Sequence, residues 1–366
     1  MLKSITIENY RAFKKYSLTG LSRVNLLVGK NNAGKTALLE CVHLLAAGGD
    51  LGVLMTIARR RGELVSELTD EAGMGDYSHF FHGHVLTEGT EFSIAPDNGM
   101  TPVKVMVGPL AGDETGEGLF GTDPQRRPRL GLRINLGDKG PERPKRLFSA
   151  EGALIRRSAG LLSPYRGETS GTIAPVQFIT PESLEMRPLA AIWDQILLDS
   201  QEGEVIAAMK ILDPKIESIA FLTGQGEAPR FPRGRAGIVA SFSDDKRRVP
   251  LGSCGDGMRR LLALSAALIR AKDGFLIVDE IDTGFHYSVM TDVWKLVAST
   301  AEKLNIQVFA TTHSLDCIRG LAEVCRGSDE LRASVSLNKI LRELESSVPL
   351  SGEELITVAE QDLEVR

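Results

Sequence analysis

The sequence predicts an α/β protein with a mixed or parallel core sheet, an antiparallel β subdomain and a short helical arm. Three observations carry this reading. "RVNLLVG" is a short β-type run that enters the glycine-rich turn "KNNAGKT" and then the helix-forming "ALLECVHLLAA". "GFLIVDEID" and "NIQVFATTHS" are two more apolar runs ending in polar residues, the signature of strands buried on both faces. Residues 50–180 differ from both, being rich in Gly, Pro and charge with short β-like runs between turns.

Taken in order, residues 1–46 read as strands, then the turn, then a helix, and "MLKSITIENYRAF" has strand-like alternation from the start. Residues 50–180 read as meandering strands and mobile loops with little helix. From Pro181 the pattern becomes helical, with Leu189, Ile192, Ile196 and Leu197 on one face. "IESIAFLTG" and "AGIVASFSD" read as strands, and residues 250–320 alternate strand and helix. Ser351-x-x-Glu354 is a capping-box pattern that opens a last helix. There is no repeat and no heptad run, and the helical stretch at 181–213 is too short for a long antiparallel coiled coil. The expected division is residues 1–180, carrying the turn and a β-rich insertion, 181–235 as the short arm and a connecting strand, and 236–366 as the second half of the core.

Composition narrows the function. The 366 residues suit one large domain or two ordinary ones, and 42% hydrophobic content is that of a globular protein. A net charge of −5 argues against a surface basic overall, so nucleic acid would be met through a local patch. The four cysteines, at 41, 254, 317 and 325, include no C-x-x-C pair, which argues against zinc and disulfide frameworks. No apolar leader and no membrane-length apolar stretch are present, so a soluble, cytoplasmic protein without a membrane partner is expected.

The spacing of Gly29, Gly34, Lys35 and Thr36 is G-x-x-x-x-G-K-[ST], the phosphate-binding loop. Its residues Gly29, Lys30, Asn31, Asn32, Ala33, Gly34, Lys35 and Thr36 would fold into a concave turn whose N–H groups face phosphate oxygens. The helix that follows adds its positive dipole end. Lys35 supplies a point charge, and the Thr36 hydroxyl is a ligand of the hard-oxygen kind that Mg²⁺ takes. The bland alternative is a glycine turn between a strand and a helix, and the rest of the chain argues against it. Asp279 stands at the end of an apolar strand, where it would hold Mg²⁺ through a water, and Glu280 beside it would polarise an attacking water. His313 follows the next strand and would contact the γ-phosphate or that water. Ser253-Cys254-Gly255-Asp256-Gly257 is a small turn opening a helix with Met258, Leu261, Leu262, Leu268 and Ile269 on one face. That is a second anion-binding helix start, more than one nucleotide needs within one chain.

"SCGDGMRRLLALSAAL", "IVDEIDTGFHYS" and "VFATTHSLDCI" together with the phosphate loop resemble the ABC-type ATPases of the SMC-like and RecF-like branch. The order is Walker A, signature, Walker B, D-loop and H-switch. The nearest likeness is to the ATPase module of OLD-family (overcoming lysogenization defect) proteins and related AAA-type ATPases. It covers residues 1–46 and about 235–320 well and the middle loosely.

The resemblance implies an ABC-type ATPase head that binds ATP and Mg²⁺. It implies that Gly29 to Thr36 cradle phosphate, Asp279 positions the metal, Glu280 is the general base and His313 the switch. Ser253 and Gly255 would reach the γ-phosphate held by a second copy, and Asp282 to His286 would form the D-loop at the seam of a homodimer or higher oligomer. Gln177 would serve as the Q-loop glutamine near the metal, and Arg11 would reach phosphate. Tyr10 or Phe13 would stack on adenine or else pack in the core. OLD proteins proper continue into a Toprim nuclease domain, so the resemblance implies that a nuclease comes from a separate polypeptide or is absent, and a separate effector, a nuclease or Toprim-like protein, is expected as partner.

Basic runs at Arg126–Arg129, Arg143–Arg146, Arg156–Arg157 and Lys246–Arg248 fit either DNA phosphates or a solvated loop surface. Aromatics are only 5% of the chain and are not interleaved with these runs, so single-strand stacking is not indicated. The readings carried forward are the ATPase of a two-component, antiviral-type system, a RecF-like DNA-repair ATPase, an ATP-gated scaffold and, last, a transporter ATPase.

Overall fold

The structure is a computed structural model of the chain, and it describes residues 1–63, 77–109, 130–135, 174–182, 186–222 and 237–361. The first three strands are β1 (Ile5–Tyr10), β2 (Phe13–Leu18) and β3 (Val24–Val28), followed by α1 (Lys35–Ala46) and α2 (Leu51–Arg60). Next come β4 (Glu91–Pro96), β5 (Val103–Pro109), β6 (Leu130–Asn135) and β7 (Val176–Ile179). The arm is α3 (Met186–Leu198) and α4 (Glu202–Met209), leading to β8 (Ile216–Leu222), β9 (Gly237–Phe242) and β10 (Asp245–Pro250). Then follow α5 (Asp256–Arg270), β11 (Phe275–Val278), α6 (Met290–Lys303), β12 (Gln307–Thr311) and α7 (Leu315–Gly327). The chain continues through α8 (Asp329–Ser334), β13 (Val335–Lys339), β14 (Val348–Ser351) and α9 (Gly352–Glu360).

The core sheet runs β14-β13-β3-β12-β11-β7, parallel throughout except for β14 at one edge. Its strands are continuous apolar runs because both faces are covered. Alternate residues point to opposite faces, so Leu27, Ile277 and Phe309 meet α1, whereas Leu26, Val278 and Val308 meet α6 and α7. The other side of α1 packs on an antiparallel sheet of order β2-β1-β4-β5-β6, where Leu38 and Val42 share a core with Ile7 and Phe92. A third core joins α3, α4 and α5 to the small sheet β10-β9-β8 through Trp193, Val205, Leu261 and Ala240. The α/β class, the mixed core sheet and the antiparallel subdomain are therefore present.

Two expectations need correction. Residues 50–63 hold helix α2, where loops and strands were expected. Gly48 (φ 60°) and Gly49 (φ 73°) end α1 in a left-handed turn, and the Asp50 carboxylate then accepts from Gly52 N to cap α2. On α3, Leu197 is 47% exposed, and Trp193 takes its place in the core beside Leu189 and Ile196. The capping box of Ser351 and Glu354 forms as expected. Among the described residues no helix is long and apolar enough to cross a membrane.

Candidate nucleotide site

In a parallel sheet the carboxyl ends of the strands open to one side, and ligands collect there. The carboxyl ends of β3, β12 and β11 lie side by side in that order. They deliver the phosphate loop, the His313 turn and the Asp279–Glu280 pair to one edge.

The loop's shape depends on two glycines. Gly34 (φ 98°) starts α1, and a Cβ there would lie 2.3 Å from the Phe13 ring. Gly29 (φ 150°) passes so close to the Ile340 carbonyl that a Cβ would come within 2.6 Å of it. Asn32 also sits at positive φ, 61°, a conformation that asparagine tolerates. Lys30, Asn31 and Asn32 are exposed, and Ala33 is buried beneath them. Lys35 folds back into the loop, its Nζ donating to Gly29 O at 2.7 Å and Lys30 O at 3.0 Å. Burial lowers the pKa of Lys35, while nearby Asp279 and Glu280 pull it partway back up.

Asp279 is gripped on both oxygens. Thr36 Oγ1 donates to Oδ2 at 3.0 Å, and Thr311 Oγ1 donates to Oδ1 at 2.5 Å. The same Thr311 oxygen accepts from Glu280 N at 2.8 Å. Glu280 itself has φ 49°, uncommon for a residue with a Cβ, and Thr283 Oγ1 donates to its carboxylate at 3.3 Å. His313 is half-buried, two residues past the end of β12. Its neighbour Thr312 donates to Asp282 Oδ1 at 2.5 Å and accepts from Ser314 N, tying this turn to the segment after Glu280. A hydroxyl beside a carboxylate, as Thr36 and Asp279 are, is a set of hard oxygen donors that fits Mg²⁺.

The second turn lies elsewhere. Ser253 and Gly255 are exposed at the start of α5, and Gly255 (φ 95°) leaves that helix end without a side-chain cap among the described residues. A Cβ on Gly255 would meet nothing within 4 Å among the described residues. Gly257, just inside the helix, touches the Asp282–His286 segment so closely that a Cβ would lie 2.9 Å from Gly284 O. The two segments thus form one continuous surface.

Two residues are not brought to the phosphate side. Arg11 sits at φ 49° in the hairpin turn, with its side chain turned inward. It pairs with Glu40 at 2.8 Å and with Glu63 at 2.6 Å, and stacks over Phe80. Glu40 also accepts from Tyr10 OH at 2.9 Å and pairs with Arg61 at 2.7 Å. Burial alone would lower the Arg11 pKa, but Tyr10, Glu63 and Glu40 outweigh it and raise it. The sequence shows a conveniently placed cation but not the two carboxylates that claim it. Gln177 lies inside β7 opposite Leu276, two residues short of the level of Val278. The residue at that strand's open end is Thr180. Tyr10 and Phe13 are only 0% and 2% exposed and belong to the core.

Sequence reasoning missed Thr311 and Arg260. The Arg260 guanidinium is buried, donating to the carbonyls of Thr180, Pro181, Asp279 and Glu280. Burial lowers its pKa to about 10, against the pull of Asp279 and Asp282. The signal was a basic residue four positions before Leu264, on a face that is otherwise apolar. The basic runs at 126–129, 143–146 and 156–157 lie outside the described residues.

Comparison with known proteins agrees with this geometry. The family model described as "AAA ATPase domain" matches residues 1–59, which include the whole phosphate loop. A second, described as "AAA domain, putative AbiEii toxin, Type IV TA system", matches residues 185–316 and takes in Ser253, Asp279, Glu280 and His313. The chain is an ATPase. It is 24% identical over 358 residues to an "ATP/GTP phosphatase" of Helicobacter pylori (strain ATCC 700392 / 26695), covering 90% of each. It is 47% identical over 47 residues, 13% of each chain, to the "DNA replication and repair protein RecF" of Clostridioides difficile (strain 630). Among solved structures, an Smc head bound to the C-winged helix domain of ScpA aligns with TM-score 0.51 and 14% identity, over 96% of this chain and 99% of that one. The fold is that of an ABC-type ATPase head.

Proposed function

We propose that this ATPase works as a pair of heads that close on ATP and part on hydrolysis, switching a separate effector. One observation carries the reading: the phosphate loop, through Thr36, and the strand ends, through Asp279, Glu280 and Thr311, meet at one hydrogen-bonded point. In this reading residues 29–36 hold the phosphates and Lys35 sits on the β- and γ-phosphates. Thr36 and Asp279 hold Mg²⁺, which would neutralise charge on the phosphate oxygens when bound. Glu280 orients the attacking water, and His313 sits beside the γ-phosphate. Ser253 and Gly255, exposed and uncapped, contact the γ-phosphate of the opposite head, with Asp282 to His286 at the seam.

The proposed organisation is 1–180 and 236–366 as the two parts of the core, with 181–235 as the arm that passes motion to a partner. An OLD-like ATPase acting with a nuclease or Toprim-like effector in antiviral defence is the preferred setting. The match of residues 185–316 to the family described as "AAA domain, putative AbiEii toxin, Type IV TA system" supports a setting with a second component. The RecF likeness over 47 residues favours a second reading, in DNA repair with DNA bound directly. Single-turnover kinetics test the site. Glu280→Gln is expected to bind Mg·ATP as the natural chain does but to lose hydrolysis by about 10²-fold or more. Unchanged hydrolysis would remove Glu280 from its assigned role. Salt-sensitive, ATP-dependent DNA binding would move the setting to repair.

A further inference from the structure

Helix α5 begins with the exposed turn of Ser253 and Gly255, and little more than one helical turn into it stands Arg260. Its guanidinium reaches the open end of the sheet from below. Nη2 donates to Asp279 O and Glu280 O, each at 3.0 Å, and Nη1 donates to Thr180 O and to Pro181 O at the end of β7. The two carbonyls held by Nη2 flank Glu280, whose φ of 49° is a left-handed conformation. Such a conformation costs roughly 1–2 kcal/mol for a residue with a Cβ, so something must hold it. Thr311 Oγ1 fixes the Glu280 amide from one side, and Arg260 fixes its carbonyl from the other. Among the described residues the hydrogen bonds of Arg260 go to backbone carbonyls, while the Asp279, Asp282 and Glu280 carboxylates act on it through space.

We infer that Arg260 is a positioning residue for hydrolysis: it holds the backbone of Asp279 and Glu280 in the bent form that aims the Glu280 carboxylate, and it does so from the helix carrying the Ser253 turn. The inference rests on the reading of Glu280 as the residue that orients water. Helix α5 is then a rigid link. A shift of its exposed start moves Arg260 and, with it, the Glu280 bend of the same chain. The close contact of Gly257 with Gly284 O ties the following segment to the same helix.

The test compares Arg260→Gln, Arg260→Lys, Glu280→Gln and the double variant Arg260→Gln/Glu280→Gln in the full chain. Steady-state ATPase activity, ATP affinity and Tm are measured for each. Arg260→Gln is expected to lower kcat by about 10²-fold while the Kd for ATP changes less than about threefold. Arg260→Lys keeps a donor in place and is expected to regain part of that rate. In the Glu280→Gln background, Arg260→Gln is expected to change the residual rate by less than about twofold, because two residues acting through one group are not additive. Wild-type kcat in Arg260→Gln, beside an inactive Glu280→Gln, overturns the inference and leaves the reading of Glu280 intact. So does an equal fold-loss from Arg260→Gln in both backgrounds. A fully active Glu280→Gln overturns both. If Arg260→Gln does not fold, Arg260→Lys carries the test, with a kcat loss of at least about fivefold at unchanged ATP affinity expected and no loss contradicting the inference.

Discussion

Thr36 and Thr311 hold the two oxygens of one carboxylate, that of Asp279, although 275 positions of sequence separate them. One threonine ends the phosphate loop and the other ends β12, so a single carboxylate reports whether both are in place. Thr36→Val keeps the shape and removes the hydroxyl. It is expected to raise the Mg²⁺ concentration for half-maximal ATPase activity by about tenfold or more, since one hard oxygen donor is lost. An unchanged Mg²⁺ titration would show that this hydroxyl takes no part in holding metal.

Lys35 lies inside its own loop on two carbonyls, Gly29 O and Lys30 O. Lys35→Ala removes the cation closest to the expected phosphates, and ATP affinity should fall by about 10²-fold or more, as for loss of a charge-assisted contact. Isothermal titration with a non-hydrolysable analogue reads this out. Binding at native affinity would contradict the placement of phosphate in the loop.

Arg11 and Glu40 give the opposite expectation. Glu40 is only 3% exposed and serves Tyr10, Arg11 and Arg61 together. Glu40→Ala leaves Arg11 with a lost partner in the interior and should destabilise the fold by about 3–5 kcal/mol, seen as a lower denaturation midpoint. Arg11→Met should also destabilise yet leave ATP affinity within about threefold. A large loss of ATP affinity with stability intact would restore Arg11 to the phosphate side.

His43 sets an acid limit. Burial, helped by Arg60, pushes its imidazole down to about 3, and its Nδ1 has no hydrogen-bond partner among the described residues. The unfolded chain takes up a proton near pH 6.5, whereas the folded chain does not until about 3. Stability is therefore lost as pH falls through that window, by roughly 1.4 kcal/mol per pH unit from this group. His43→Leu should flatten the profile between pH 6 and 4 in urea-denaturation experiments, and an identical profile would mean that His43 is not the group responsible.

Much of this was legible from residue types alone. The strand-loop-helix around Gly34 and the apolar run ending at Asp279 are local patterns, and local patterns survive folding when the strand is buried on both faces. Helix α2 was hidden because its start, Gly48-Gly49-Asp50, reads as a breaker, and only the fold shows the two glycines ending one helix and the aspartate capping the next. Arg11 was assigned to phosphate and Arg260 was passed over for a shared reason. A cation's role is set by the acceptors that surround it, and those come from Glu63 in one case and from the ends of β7 and β11 in the other. Gln177 depended on strand register, which is fixed by pairing with β11 and not by its own segment.

Sedimentation velocity of the Glu280→Gln chain, with and without Mg·ATP at micromolar protein, asks whether nucleotide joins two heads. Paired heads predict a shift from one copy to two with ATP, abolished when Ser253→Arg is added while ATP still binds. A Glu280→Gln chain saturated with ATP that sediments as a single copy, or a Ser253→Arg variant that pairs as well as its parent, would contradict it.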